Sequence, residues 1–517
     1  MRLDFDDLAG GIVKDQNPHE LPAGVWSNGE NVRFIDGAAQ KIRGQTPVFG
    51  TLSGAPYWLL PVQTATTVYW IYAGLTAVYA TDGGSHADIS GKTYSANASR
   101  LWNGGVLGGI PIINDGANAP QQWNPGLANN LSDLSNWPIG MSCRVLRFFK
   151  NFGIALWVDE GSGANPRLIR WSDPADPGAV PASRDYTDAT NRAGRTELAE
   201  TTDRLVDLVP VRDTGVIYKE NSVWGMQFIG GNSVFRFFRI FESFGALAQR
   251  AIAAFYGKHI VLTDGDLVVH DTQNAQSIIN HRMRRWLTNA IDTDNYTRSF
   301  IATNHDQKEH WICFPETGAE YSTKALIWKW DDNRFTIRDL PNVPHMGWGI
   351  VDPSATTDTF DAASGTFDTE TDPFDQSQYN PSQRRLLMAD YANSKLIYAD
   401  DTYQFDGNNY LSALERLAWP LGRQGSDGQI QQDTDKLKYV KRLFPELEGG
   451  PVDFYVGVQD YIDAPVKWNG PYTFSPGDYK IDMRVTGRLI GIRIEDSADK
   501  PWRLKSLGIE YDFAGRR

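Results

Sequence analysis

His259-Ile260-Val261-Leu262-Thr263-Asp264-Gly265-Asp266-Leu267-Val268-Val269-His270 reads as two period-two strands folded back on each other at Asp-Gly. Apolar and β-branched side chains fill the strand positions, and Asp and Gly at the loop are residues of a tight hairpin turn. The same design recurs along the chain, at 68–75 with 77–80, 108–116, 153–158 with 167–172, and 215–218 with 223–228. Later cases are 325–330 with 335–338 and 386–390 with 395–400. Successive hairpins lie roughly 40–60 residues apart, close to the length of a propeller blade, without a fixed Trp-Asp signature. The expected fold class is therefore mainly β: a β-propeller-like array of antiparallel hairpins with few helices, a sandwich array being the fallback. Radial closure suits many short hairpins because it leaves few open sheet edges.

Working outward, helical signal is scarce. Residues 276–291 place Ile279, Met283, Trp286, Leu287 and Ala290 on one face, and 246–255 is a second candidate helix. The expected organisation is a β-hairpin segment over 1–50 that packs with the propeller or a neighbour, followed by a propeller body over 51–351. A polar insertion rich in Thr-Phe-Asp units covers 352–385, final propeller strands cover 386–421, and a smaller C-terminal β-sandwich-like domain covers 436–517.

Bulk composition narrows the function classes. The chain has 517 residues, 41% hydrophobic and 22% charged, which is the make-up of a folded protein. Its formal net charge of −13 argues against gripping nucleic acid, an affinity supplied mainly by Lys and Arg on phosphates. DNA as a passenger is compatible with that charge, because an acidic channel wall would let it slide; acidic side chains are accordingly expected along such a channel. Cys143 and Cys313 are the two cysteines, a usage that fits assembly in a reducing cytoplasm. The acidic start 1–7 has no signal-peptide character, and no apolar run reaches the length of a membrane span.

Catalytic and metal patterns are not found. There is no phosphate-cradling Gly-Lys-Ser/Thr loop and no G-x-S-x-G elbow. The eight histidines are scattered, and His305 and His310 lack the spacing and acidic base of a zinc motif. The Asp-rich turn at 263–266 lacks the distal Glu of a calcium loop. The basic run 281–286 reads as a solvated helix face and 144–150 as a half-buried strand. No catalytic, cofactor-binding or metal residue is assigned, and no enzyme activity is expected.

The amino-terminal stretch is more specific. Leu21-Pro22-Ala23-Gly24-Val25-Trp26-Ser27-Asn28-Gly29-Glu30-Asn31-Val32-Arg33-Phe34-Ile35-Asp36-Gly37, then Gln40-Lys41-Ile42-Arg43-Gly44, resembles the opening of tail nozzle (tail stabilisation, tail accessory) proteins of short-tailed bacteriophages. Stretches 114–123, 169–174 and 330–341, and the end Trp502-Arg503-Leu504 through Tyr511 to Arg517, are similar to the same family. The resemblance spans nearly the whole chain, apart from 352–385. It implies a structural virion protein of the tail, assembled in the bacterial host cytoplasm. Such a subunit forms a homohexameric ring below the head-to-tail adaptor, extends the DNA channel, and retains and then releases the genome. Its implied partners are the adaptor, a tail fibre or tailspike, and a plug or needle protein. The alternatives are a propeller-type glycan-binding or glycan-hydrolysing virion protein, and a cellular receptor-binding or scaffold propeller.

Overall fold

The computed structural model of the chain describes residues 1–64, 67–97, 100–351, 384–419, 421–424 and 430–515. Seven antiparallel four-stranded sheets are arranged as propeller blades. Blades 1 to 6 follow chain order over 58–88, 103–133, 142–197, 205–241, 252–277 and 300–343. Blade 7 combines Met346–Ile350, Arg384–Asp390 and Lys395–Ala399 with Gln45–Val48 from the other end of the chain. The first strand of each blade touches the first strands of its two neighbours, and blade 7 touches blade 1, so the ring is closed. Gln45–Val48 pairs in register with 396–399, which makes the early chain the latch of the ring.

Why this ring holds is visible in its cores. Buried apolar clusters fill all seven interfaces between blades, from Trp58, Ile71 and Trp123 between blades 1 and 2 to Leu59, Trp70 and Leu387 between blades 7 and 1, and the one between blades 5 and 6 runs on into residues outside the ring, Leu443 and Ile492 among them. A blade cannot bury either face alone, so its stability comes from stacking on both neighbours. Each hairpin expected of the propeller, from 68–80 to 386–400, lies within one blade. For example, His259 pairs with His270 and Thr263 with Asp266, as the opening stretch requires.

Two further sheets form a sandwich from both ends of the chain. One orders Val32–Ile35, Ala38–Lys41, Trp502–Phe513, Lys438–Gly449 and Ile481–Gly487, with Arg2–Phe5 also on Trp502–Phe513. The other orders Asn28–Glu30, Ser412–Arg416, Leu489–Asp496, Val452–Gln459 and Lys467–Phe474. The C-terminal sandwich is thus not built from 436–517 alone. Strand Ser412–Arg416, expected among the final propeller strands of 386–421, pairs with Leu489–Asp496 instead. The 1–50 segment is divided: strands within 2–41 complete the sandwich, and 45–48 closes the propeller. The physical reason is edge satisfaction: Arg2–Phe5 and Ala38–Lys41 cover one side of Trp502–Phe513, and Ser412–Arg416 covers the otherwise open side of Leu489–Asp496.

The helix expectations need correction. Ala275–Ser277 is the outer strand of blade 5, Ile279 and Met283 are buried in turns, and the helix is only Arg284–Ala290 with Leu287 inward. Residues 246–255 contain no helix; Ile252–Phe255 is the inner strand of blade 5, paired with 258–261. A ladder against a ready partner strand outweighs the cost of nucleating a short helix. The insertion expected over 352–385 falls, but for its last two residues, outside the described residues. It joins the end of the inner strand of blade 7 to the start of the second.

Candidate functional site

The stretch that carries the family resemblance becomes a joint between sandwich and propeller. Asp36 and Gly37 both take positive φ, 49° and 75°, as a two-residue hairpin turn of the primed type demands. Val32 and Phe34 point into the shared core, while Asn31 and Arg33 reach the other way. Asn31, itself left-handed at φ 55°, donates through Nδ2 to Asp339 Oδ2 and to the Leu411 carbonyl, each at 2.8 Å, and its Oδ1 accepts from the Asp339 amide at 3.0 Å. Arg33 donates to both Glu309 oxygens at 2.7 and 2.9 Å and to Asp400 at 3.0 Å. One side chain of the sandwich therefore ties blade 6 to blade 7.

Electrostatics make this joint expensive to disturb. Burial works against the charge on Arg33, but Asp400 and Glu309 outweigh it and hold the guanidinium charged. Burial likewise pushes against Asp400, yet Arg33 and Arg338 keep its carboxyl below the usual range. Arg338 lies over Trp311 at 4.7 Å and donates to the Gly44 carbonyl at 3.1 Å, just before the latch strand. Trp26 of the motif is fully buried, donates to the Leu8 carbonyl at 2.8 Å and meets Trp419 edge-on at 5.6 Å. Edge-on aromatic pairs add about 0.5–1.5 kcal/mol to the burial itself.

The mouth of the propeller axis at which the inner strands begin has a different chemistry. Arg100, Arg204, Arg250 and Arg298 stand just before the inner strands of blades 2, 4, 5 and 6, and Arg144 is near the start of that of blade 3. Trp157 lies between Arg144 at 4.6 Å and Arg204 at 5.8 Å. Tyr57, Tyr321 and Tyr391 form a ring triangle at the same mouth, with centroids 4.8 to 5.6 Å apart. His345 accepts from the Leu59 amide at 3.1 Å; burial, with Arg250 and Arg147 adding, keeps its ring neutral. The carboxylates touching these arginines are engaged: Asp207 with Arg147 at 2.7 Å, Glu320 with Arg298 at 2.9 Å and Glu220 with Arg204 at 4.0 Å. The acidic lining expected of an assembled channel is thus not a property of this axis: its inner strands carry Arg144, Arg147 and Asp207 as their charged residues.

Histidines do structural work. Tyr218 Oη lies 2.7 Å from His259 Nδ1 and 2.6 Å from His270 Nε2 inside blades 4 and 5. Burial lowers both rings to about 4, with His259 adding to the effect on His270. His310 is buried under Phe255 and Trp330, each 4.7 Å away, and lies near no metal-binding cluster among the described residues. Cys143 and Cys313 are buried in blades 3 and 6, unpaired, with burial pushing both thiols up. The run 281–286, expected as a solvated helix face, is so only in part: Arg284 and Arg285 are exposed on the helix, whereas Arg282 precedes it and lies over Phe335 at 4.8 Å. Stretch 144–150 is a half-buried strand. No helix among the described residues is long and apolar enough to cross a membrane.

No protein-family model and no curated protein matches the chain. Among solved structures, similarity is found to the computationally designed Ika8 protein, at 9% identity and TM-score 0.37 over 68% of this chain and 99% of that one. The AfRom2 CNH domain matches at 6% identity and TM-score 0.34 over 58% and 89%. Hsv2 of Kluyvelomyces marxianus matches at 11% and 0.25 over 52% and 56%.

The motif hairpin is legible in the sequence, whereas the gathering of arginines at the axial mouth is not. Each stands alone in the sequence, tens of residues from the next, and only the blade period brings them together.

Proposed function

We propose that this chain is a structural subunit of the tail nozzle of a short-tailed bacteriophage. The observation that carries the reading is the joint itself. The two stretches with the family's character, at either end of the chain, pair with each other through Ala39–Leu504 and Gln40–Arg503. They then fasten blades 6 and 7 through Arg33. A conduit for packaged DNA must withstand load without chemistry, and a ring latched by one chain end and clamped by a sandwich suits that task. In this reading six copies surround the DNA channel below the head-to-tail adaptor, with a fibre or tailspike and a plug or needle as neighbours. Cyclic, head-to-tail interfaces would keep that ring open along its axis.

A glycan-cleaving role has weaker support, because among the described residues the carboxylates that touch the mouth arginines, Asp207, Glu320 and Glu220, are paired with Arg147, Arg298 and Arg204. The test is assembly: purified chain is mixed with adaptor complexes and imaged by electron microscopy. Rings docked on the adaptor, six subunits each, are expected. Chain that stays monomeric and leaves the adaptor bare would count against the proposal.

A further inference from the structure

Arg250 is held in an unusual way. Its backbone is left-handed at φ 70°, a conformation costly for a long side chain. Its amide donates to Asp207 Oδ2 at 3.0 Å, and its carbonyl accepts from the Ile301 amide at 2.9 Å, so blades 4 and 6 fix it from both sides. The Nε and Nη1 atoms are buried without a hydrogen-bond partner. Arg250 lines a small cavity, about 20 Å³, together with Arg100, Arg298, Tyr57 and Tyr321. The Nε of Arg298 is buried and unpartnered too, although its Nη1 is paired with Glu320. Among the described residues no carboxylate forms an ion pair with the guanidinium of Arg100, Arg144 or Arg250; Asp207, which takes the Arg250 amide, spends its ion pair on Arg147. A buried guanidinium with idle donors is costly unless something with negative charge meets it.

We propose that this axial mouth is an oxyanion-binding site, in which Arg250, Arg298 and Arg100 receive a carboxylate or a phosphate oxygen pair that enters along the propeller axis. The cavity admits a group of only one or two oxygen atoms, so the ligand's head is bound there and its body lies outside. The guanidinium fork matches both anions in a way that lysine would not. Arg144 and Arg204, both within 6 Å of the Trp157 ring, add positive charge beside the site in a chain whose total charge is negative, Arg204 being shared with Glu220 at 4.0 Å. The occupant is either a free small anion or an acidic group offered by another protein; both use the same oxygens. The proposal stands apart from the nozzle assignment.

The test uses the full chain and two probes, sodium acetate and inorganic phosphate, titrated against sodium chloride at matched ionic strength. Thermal unfolding and calorimetry are the readouts. A saturable rise in Tm beyond the chloride control is expected for at least one probe, and the stronger probe identifies the preferred head group. Arg250→Gly keeps the left-handed backbone free of strain and removes the guanidinium. It is expected to fold with a Tm no lower than wild type in chloride, yet to bind the probe roughly ten- to a hundredfold more weakly. Arg298→Gln should weaken binding in the same direction. No saturable response to either probe, or a response undiminished in both variants, would overturn the site.

Discussion

The propeller and the sandwich are both made of antiparallel strands, yet they are encoded in opposite ways. Blades 1 to 6 are each assembled from consecutive strands, so every ladder closes within a few tens of residues. The sandwich pairs Arg2–Phe5 with 507–510 and Asn28–Glu30 with 413–415, across most of the chain. Blade 7 is the hybrid, three local strands plus the distant latch 45–48. The lesson is that local ladders make the parts, whereas a few long-range ladders and one buried charge network make them a single body.

The hardest blow to that arrangement is deletion of residues 1–49, which removes strands from both sandwich sheets and unlatches blade 7 together. We expect the product to lose its cooperative thermal transition and to be digested throughout by a low dose of protease; a protected propeller fragment would show that the ring closes without its latch. Next is Arg33→Met, which leaves Glu309 buried and uncompensated. A loss of about 3–5 kcal/mol in denaturant unfolding is expected, with partial recovery in Arg33→Met/Glu309→Gln.

Acid should attack the propeller itself. His259 and His270 sit near 4 in the folded protein against about 6.5 when unfolded, so between those values the unfolded chain binds more protons. Their contribution is complete above about pH 6.5, falls as pH drops from about 6.5 to about 4, and is level below, by roughly 3 kcal/mol per histidine. Urea midpoints across that range measure it, and His270→Gln should remove about half of the slope. Smallest is Lys150→Ala, whose exposed pair with Asp213 at 2.9 Å joins two blade turns. A change within about 0.5 kcal/mol is expected; a larger one would mean that surface pairs help hold the blades.

How much could be read in advance follows the same division. The 259–270 hairpin was legible because alternation and an Asp-Gly turn lie within twelve consecutive residues. The motif hairpin at 31–41 was legible for the same reason. That Ser412–Arg416 leaves the propeller for the sandwich was not, since its Ser-Ala-Leu-Glu-Arg alternation suits either sheet and only the partner strand decides. The short helix was over-read because Ile279 and Met283 are apolar for the sake of a buried turn, not a helix face. Arg250 gave no signal at all. Its meaning lies in an unusual φ and in idle donors, which appear only once blades 4, 5 and 6 are side by side.

The central functional claim is best tested by immunogold electron microscopy of intact phage particles, with an antibody raised against this chain. Gold confined to the tail vertex, at or just below the neck, is expected. Particles that remain unlabelled, or label spread over the capsid, would contradict the claim.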